Sequence, residues 1–429
     1  MKNIFKYLIT FMLAAFARAV VRRYKPRIVM VTGSVGKTST KDAVAAVLAE
    51  RFYIWKSEKN FNTEFGVPYT ILGLGAGNPF ENPLLWFTVF KRALVLLFLP
   101  NHYPNMLVLE VGADKPGDLS RILRIVAPDA VVVTRLPEIP VHVEAYDSPE
   151  AVREEEFSPA YSLSAGAPLI VSIDDQYALD GAVRTSARIL SYGVSDDAMV
   201  SIRDAGFYES EGKVLGMKAS VVVNGEKENL VVKGSVGTAQ LLPAAAALAT
   251  ASAFDIPLSE ALKSLNNYEP PPGRGRLLAG KNGSIIIDDS YNASPAAVEE
   301  ALATLKSFPP PAGGRTRRIA VLGDMLELGR YSVMEHERIG ALARGSADFV
   351  VAVGIRARAF ANGSGTEVMT FNSASAAAAA LPALAREGDV ILVKGSQSIR
   401  MERVVEALLA NPSDASLLVR QEREWKRRI

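Results

Sequence analysis

Residues 27–39 read Arg-Ile-Val-Met-Val-Thr-Gly-Ser-Val-Gly-Lys-Thr-Ser. A continuous apolar run that breaks into a glycine-rich turn and then into Lys-Thr-Ser predicts a buried strand, a phosphate-binding loop and the start of a helix. Glycines let backbone N–H groups approach a phosphate, and the helix N-terminus adds its dipole. In this arrangement Gly33, Ser34, Val35 and Gly36 form the cradle. Lys37 neutralises the terminal phosphates, Thr38 is placed to ligate Mg²⁺, and Ser39 completes the loop. The general loop pattern has a glycine where this chain has Val31, so the motif is a shortened one.

Working outward, Lys37–Glu50 (KTSTKDAVAAVLAE) has the spacing of an amphipathic helix. Apolar runs at 106–112, 130–136 and 168–175 read as further buried strands separated by helical stretches. That alternation predicts a parallel sheet covered on both faces. Residues 196–235 change to short alternating segments, which suggests a small antiparallel portion. A helix is expected over 239–254. Asn266–Leu277 (NNYEPPPGRGRL) is rich in Pro and Gly and reads as a domain boundary. Beyond it SIIIDDS, RIAVLGD, DFVVAVG and DVILVKGS form a second series of strands, with an Ala-rich helix at 373–385. The expected architecture is α/β: a central P-loop ATPase domain with a parallel sheet, over 27–271, and a C-terminal Rossmann-like α/β domain over 272–429.

The chain has 429 residues, enough for about three domains at ~150 residues each. It is 49% hydrophobic and 22% charged, which excludes a disordered or fibrous protein. The 48 basic and 46 acidic residues leave a net charge of +2, so no nucleic-acid partner is called for. There is no Cys, which removes disulfides, thiolate metal sites and Cys nucleophiles. Only His102, His142 and His336 are present, too few for a His-rich metal centre. Residues 1–26 are mostly apolar and end in a basic flank. They read as a helix docked on the protein's own core, a membrane-surface helix, or a span, the last opposed by Lys6 and Arg18. A second apolar stretch, Pro83–Pro100, carries Lys91 and Arg92 and reads as a buried helix, or as a surface shared with the first. The basic tail 421–429 reads as a solvated helix end.

Further blocks extend the pattern of the loop. These are Asn60–Pro68 (NFNTEFGVP), Glu110–Ala113 followed by Pro116-Gly117-Asp118, Asp288–Pro295 (DDSYNASP), Gly323–Gly329 (GDMLELG) with His336, and Lys394–Glu402 (KGSQSIRME). Together with the loop they resemble the Mur ligases and folylpolyglutamate synthases, ATP-dependent enzymes that form amide bonds. The last three blocks are most similar to the branch that adds D-Ala-D-Ala to a peptidoglycan-precursor stem peptide. The resemblance implies ATP and Mg²⁺ as cofactors and an acyl phosphate route. It implies Lys37, His142, Glu156 and Arg274 as catalytic residues, and Thr38, Glu110, His142 and Glu156 as metal ligands. Gln240, Arg274, Asp289, Tyr291 and Asn292 would contact the nucleotide. Asn62, Thr63, Asp324, Glu327, Lys394 and Ser396 would contact the two substrates.

The chain departs from the family in three places. A domain that grips a UDP-sugar precedes the ATPase domain in family members, and only a short apolar segment precedes it here, which leaves a lipid-linked acceptor as an alternative. Glu156 stands where the family carbamylates a lysine, with Glu154 and Glu155 as competing registers. Thr238–Pro243 replaces the family's His-Asn block at the adenine. A cytoplasmic monomer is expected, and the apolar run 4–21 with its basic flank suggests peripheral contact with the inner face of the membrane. The competing readings are another ligase of the superfamily with a different acceptor, or a non-catalytic nucleotide-binding protein at the membrane.

Overall fold

The computed structural model describes residues 2–58, 61–75, 85–310, 316–364 and 368–426, without the side chains of 2–8, 363–364 and 423–424. Asn60, at the head of the Asn-rich block, Pro83 and Leu84 of the second apolar stretch, and residues 427–429 of the tail lie outside them.

Fifteen strands form two sheets among the described residues. The first contains β1 (Arg27–Thr32), β2 (Ile54–Lys56), β3 (Met106–Glu110), β4 (Ala130–Val133), β5 (Pro168–Ser172), β6 (Arg188–Gly193), β7 (Val200–Ser210), β8 (Lys213–Val223) and β9 (Glu226–Lys233), in the spatial order β2-β3-β1-β4-β5-β6-β7-β8-β9. The pairs from β2 to β7 are parallel, and β7-β8-β9 run antiparallel. The antiparallel portion expected at 196–235 is therefore a continuation of the central sheet. The second sheet contains β10 (Arg276–Ala279), β11 (Ile285–Asp289), β12 (Arg318–Gly323), β13 (Phe349–Val353), β14 (Val368–Phe371) and β15 (Val390–Lys394), in the order β10-β11-β15-β12-β13-β14. It is parallel except for the β10–β11 pair.

The parallel strands are apolar throughout because both faces are covered. All five residues of β3 and all five of β15 are buried. Helices α1 (Lys2–Tyr24), α2 (Lys37–Leu48), α3 (Gly66–Ile71), α4 (Leu85–Phe98), α5 (Asp118–Leu123) and α6 (Pro149–Tyr161) pack around the first sheet. Helix α1 buries Ile9, Leu13, Ala17 and Val20, one stripe at helical spacing, against the core that also holds Ile28 and Met30 of β1. Each large side chain in that stripe contributes roughly 1.5–3 kcal/mol. Among the described residues no helix is long and apolar enough to cross a membrane. Helix α4 corrects the expectation of a buried helix: only Val89, Ala93 and Leu96 are buried, and its opposite face is open.

Candidate active site

Parallel α/β sheets place their loops for chemistry at the carboxyl ends of the strands. Here the two sheets aim those ends at a common cavity of about 860 Å³. Ser34–Thr38 after β1, Glu110 at the end of β3, and His142 after β4 approach from one side. Tyr291 and Asn292 after β11, Leu326 and Glu327 after β12, and Lys394 and Ser396 at the end of β15 approach from the other.

The loop after β1 is shaped by its glycines. Gly33 has φ +114°, and a Cβ on it would lie 2.4 Å from Thr134 Oγ1, so no larger residue fits. Gly36, at φ 89°, caps α2 without a side-chain hydrogen bond. Lys37 Nζ donates to the Gly33 carbonyl and lies 4.0 Å from Glu156 Oε1. Thr38 Oγ1 donates to Glu110 Oε1 at 3.2 Å. The other oxygen, Oε2, is buried and accepts no hydrogen bond; Lys41 Nζ stands 3.8 Å away. Lys41 is itself buried on α2 and donates to the Ser57 carbonyl at 2.8 Å. Sequence reasoning missed this lysine, because a cation four residues after Lys37 reads as part of an exposed helix face.

Three consecutive glutamates on α6 diverge, and this settles their register in space. The helix begins with Ser148 accepting from the Ala151 N–H and Pro149 at its first position. Successive residues turn by about 100°. Glu154 is exposed and pairs with Arg184, and Glu155 accepts from the Gly117 and Leu119 amides at the start of α5. Glu156 points inward and is buried. Its carboxylate accepts from Ser34 Oγ. Burial raises the Glu156 pKa, while Lys37, the Ser34 hydrogen bond and His142 act in the opposite direction.

His142 sits at φ 66° and faces the second sheet. Its Nδ1 is 3.1 Å from Glu327 Oε2 and its Nε2 is 3.6 Å from Asp114 Oδ1. Burial opposes a charge on the imidazole, but the hydrogen bond to Glu327 and the charges of Glu327 and Asp114 outweigh it and raise the pKa. The same contact lowers that of Glu327. Glu327 is also in the left-handed region, at φ 65°. Two strained loop residues therefore meet across the gap between the sheets.

Arg274 follows Gly273 and precedes Gly275, both with positive φ. A Cβ on Gly275 would lie 2.6 Å from the Val236 carbonyl oxygen. The guanidinium lies 3.8 Å over the Tyr291 ring and its Nη2 reaches Thr38 Oγ1 at 3.4 Å. Its Nε is buried and without a partner. Tyr291 is held from behind: Arg420 donates to the Tyr291 carbonyl and, at 2.9 Å, to Glu402 Oε2. Arg400 also pairs with Glu402 and donates to the Trp425 carbonyl at 2.9 Å. Trp425 lines the cavity, so the C-terminal tail is docked and is not simply a solvated end. No motif in the sequence signals Arg420 or Trp425.

On the second sheet several expected contacts are redirected. Lys394 Nζ donates to Asp289 Oδ2 at 2.6 Å and to the Asn292 carbonyl at 3.0 Å. Asp289 is committed to that lysine and does not line the cavity. Asp324 is buried and accepts from the Ala357 amide at 2.7 Å, away from the cavity. It shapes the GDMLELG loop from beneath. Ser396 Oγ accepts from the Leu326 amide at 2.9 Å, and His336 Nε2 accepts from the Met325 amide at 3.0 Å. Because Nε2 accepts, Nδ1 carries the proton and donates to the Ser332 carbonyl at 2.6 Å. Burial keeps this imidazole neutral by lowering its pKa.

Asn62 and Thr63 line the cavity, whereas Gly33, Ser39 and Gln240 do not. Ser39 is buried in the first turn of α2, its carbonyl accepting from Tyr268 at 3.0 Å, and Gln240 lies in a short turn beside Gly275. Thr38, Glu110, His142 and Glu156 do not form one ligand cluster: among the described residues no group of three His, Asp or Glu side chains could hold a metal ion. Glu110 and Thr38 supply hard oxygens on one side; His142 and Glu156 are each engaged with other partners.

Two family models match this chain. The Mur ligase middle domain covers residues 90–251, and the Mur ligase glutamate ligase domain covers residues 273–397. The chain belongs to the Mur ligase family. It is 28% identical over 406 residues to UDP-N-acetylmuramoyl-tripeptide–D-alanyl-D-alanine ligase of Bacillus subtilis, covering 93% of this chain and 79% of that one. Among solved structures it matches the MurF ligase of Thermotoga maritima in complex with ADP at a TM-score of 0.74 and 25% identity, over 93% of this chain and 83% of that one. The folylpolyglutamate synthase of the same organism shares the fold, with a TM-score of 0.58 and 16% identity over 99% of this chain. The matched middle domain contains Glu110 and His142 on one side of the cavity described above, and the matched glutamate ligase domain contains Tyr291, Glu327, Lys394 and Ser396 on the other.

Proposed function

We propose that this Mur ligase joins D-Ala-D-Ala to the carboxylate of a peptidoglycan-precursor stem peptide at the expense of ATP. The observation that carries the reading is the meeting of Lys37, Thr38, Glu110 and Arg274, from two parts of the chain, at the mouth of one phosphate-type loop. Amide formation in water is uphill. It becomes favourable if the acceptor carboxylate first takes the γ-phosphoryl group, with ADP leaving, and the amine then displaces phosphate from the acyl phosphate, losing one proton.

The residues present fit a Mg²⁺ ion. Glu110 Oε2, which accepts no hydrogen bond, and the Thr38 hydroxyl would hold it, and such ions are bound by one or two protein oxygens together with substrate phosphates. When bound it supplies charge neutralisation at the phosphates. Lys37 would swing from the Gly33 carbonyl to the phosphates, and Arg274 would turn its unpaired Nε toward the transferred group. Glu156 would then hold Ser34 and balance the charge of Lys37. Asn62 and Thr63, on the first sheet, would face the acceptor. Lys394, Ser396 and the Glu327 loop would face the incoming dipeptide, with Tyr291 and Asn292 beside the nucleotide. The contact between His142 and Glu327 would bridge the two sheets at the rim of the cavity and help to limit water at the acyl phosphate.

Phosphate release from ATP, measured with UDP-N-acetylmuramoyl-tripeptide and with and without D-Ala-D-Ala, tests the reading. Release that requires both substrates supports it. Release with another amine in place of the dipeptide would move the chain to a different ligase of the family, and no release with any acceptor would overturn catalysis.

A further inference from the structure

Helices α1 and α4 lie side by side, with Phe16 against Phe90 edge to face at 6.0 Å and Tyr24 Oη donating to the Leu96 carbonyl at 2.8 Å. Their buried stripes face the core. Their outer faces do not resemble the rest of the surface. On α4 the residues Phe87, Lys91, Leu94 and Phe98, spaced 4, 3 and 4 apart, form one outward stripe, with Phe87 75% and Phe98 73% exposed. Leu99 continues it, and Phe11 of α1 is 56% exposed. Large apolar side chains grouped in this way mark an interaction surface.

The charge pattern identifies the partner. Helix α1 contains Lys2, Lys6, Arg18, Arg22 and Arg23, helix α4 contains Lys91 and Arg92, and neither contains an Asp or Glu. The whole chain carries only +2, so the remainder is net negative and the positive charge is concentrated on these two helices. Arg22, Arg23, Lys25 and Lys91 are exposed beside the apolar stripe. Exposed aromatic and aliphatic side chains interleaved with unopposed cations are what an anionic lipid surface accepts. The apolar groups enter the headgroup boundary and the cations meet the phosphates. Since no described helix can cross a bilayer, the contact is peripheral.

We propose that the outer face of α1 and α4 is a docking surface for a bilayer carrying anionic headgroups. This is independent of the reaction assigned above: the surface works whether or not the ligase reading holds.

Vesicle co-sedimentation of the full chain tests it, comparing phosphatidylcholine vesicles with vesicles that also contain phosphatidylglycerol. The expected result is binding to the anionic vesicles that weakens with salt, because exposed charges are screened over about 10 Å at 0.1 M. Each cation removed near such a surface lowers partitioning by roughly fivefold. The double variant Arg22→Glu and Lys91→Glu should therefore lose at least roughly 25-fold. The variant Phe87→Ser with Phe98→Ser should lose binding as well, with an unchanged melting temperature, since both side chains are already in water. No binding to anionic vesicles at low salt would overturn the proposal. So would equal binding to both vesicle types, or a dimer in solution that the Phe variant dissolves without any vesicle binding. Phosphate release by the same variants reports separately on the ligase reading.

Discussion

The two sides of the cavity treat their charged groups differently. On the first sheet, Glu110 keeps a buried oxygen with no hydrogen-bond partner, and Arg274, which reaches over from the junction, keeps a buried Nε in the same condition. On the second sheet, the ammonium of Lys394 is already used by Asp289 and by the Asn292 carbonyl. A buried polar atom without a partner costs about 1–3 kcal/mol; Asp288 Oδ2 and Arg420 Nε on the second side are in that condition away from the cavity, whereas Glu110 and Arg274 line it, where a ligand can complete them. The loop side is built to receive charge. The β15 side is built to hold its own shape and present a surface.

The strongest break of that contrast is Lys37→Ala. Phosphate release should fall roughly a hundred- to a thousand-fold, the cost of losing one preorganised cation or donor, with little change in melting temperature. A variant with a clearly lowered melting temperature but unchanged turnover would reverse the assignment of the loop. Next comes Asp289→Ala, which leaves the Lys394 charge buried with no carboxylate and only the Asn292 carbonyl as partner. It should destabilise by up to about 3 kcal/mol, less the part that the remaining bond from Lys394 to the Asn292 carbonyl retains, read by thermal or urea unfolding, before any effect on ATP affinity. An unchanged midpoint would show that the pair is not structural.

A smaller effect is expected from pH. His336 is held neutral in the fold, with a pKa below the ordinary value of 6.5. The unfolded chain then binds the extra proton first. The contribution of this residue is complete above pH 6.5 and is lost as pH falls through the lower folded value, by at most ~1.4 kcal/mol per pH unit. The difference between wild type and His336→Gln in urea unfolding at pH 7.5 and 5.5 measures it; a wild type that loses no more than the variant would remove the role given to His336. The smallest effect belongs to Glu327→Gln. Its pair with His142 is half exposed, so stability should change by no more than about 1 kcal/mol. Dipeptide KM should rise a few-fold without a change in ATP KM. An equal rise in both would place the contact on the loop side of the comparison.

Much of the fold was legible because the signals were local. Continuous apolar runs before Gly33, Gly112 and Gly395 are what parallel strands with two covered faces require. The shortened loop, the strand-end Glu110 and the Gly-Arg-Gly of Arg274 are separate in sequence, and each carried its own chemistry. The structure brings them within reach of Thr38. Some contacts were out of reach because the decisive partner is remote. Asp289 meets Lys394 more than a hundred residues on, and Asp324 turns to Ala357 instead of the cavity. Nothing near either aspartate in the chain announces those partners.

By itself the sequence determined which segments must be strands, that a phosphate loop follows the first of them, and that the cations of α1 and α4 are matched by no carboxylate of their own. Only the tertiary structure decided which of three neighbouring glutamates points inward, because a helix turns by about 100° per residue and one residue of register separates solvent from core. It also decided which charges are spent on each other. Pairing depends on distances between segments that chain connectivity does not fix.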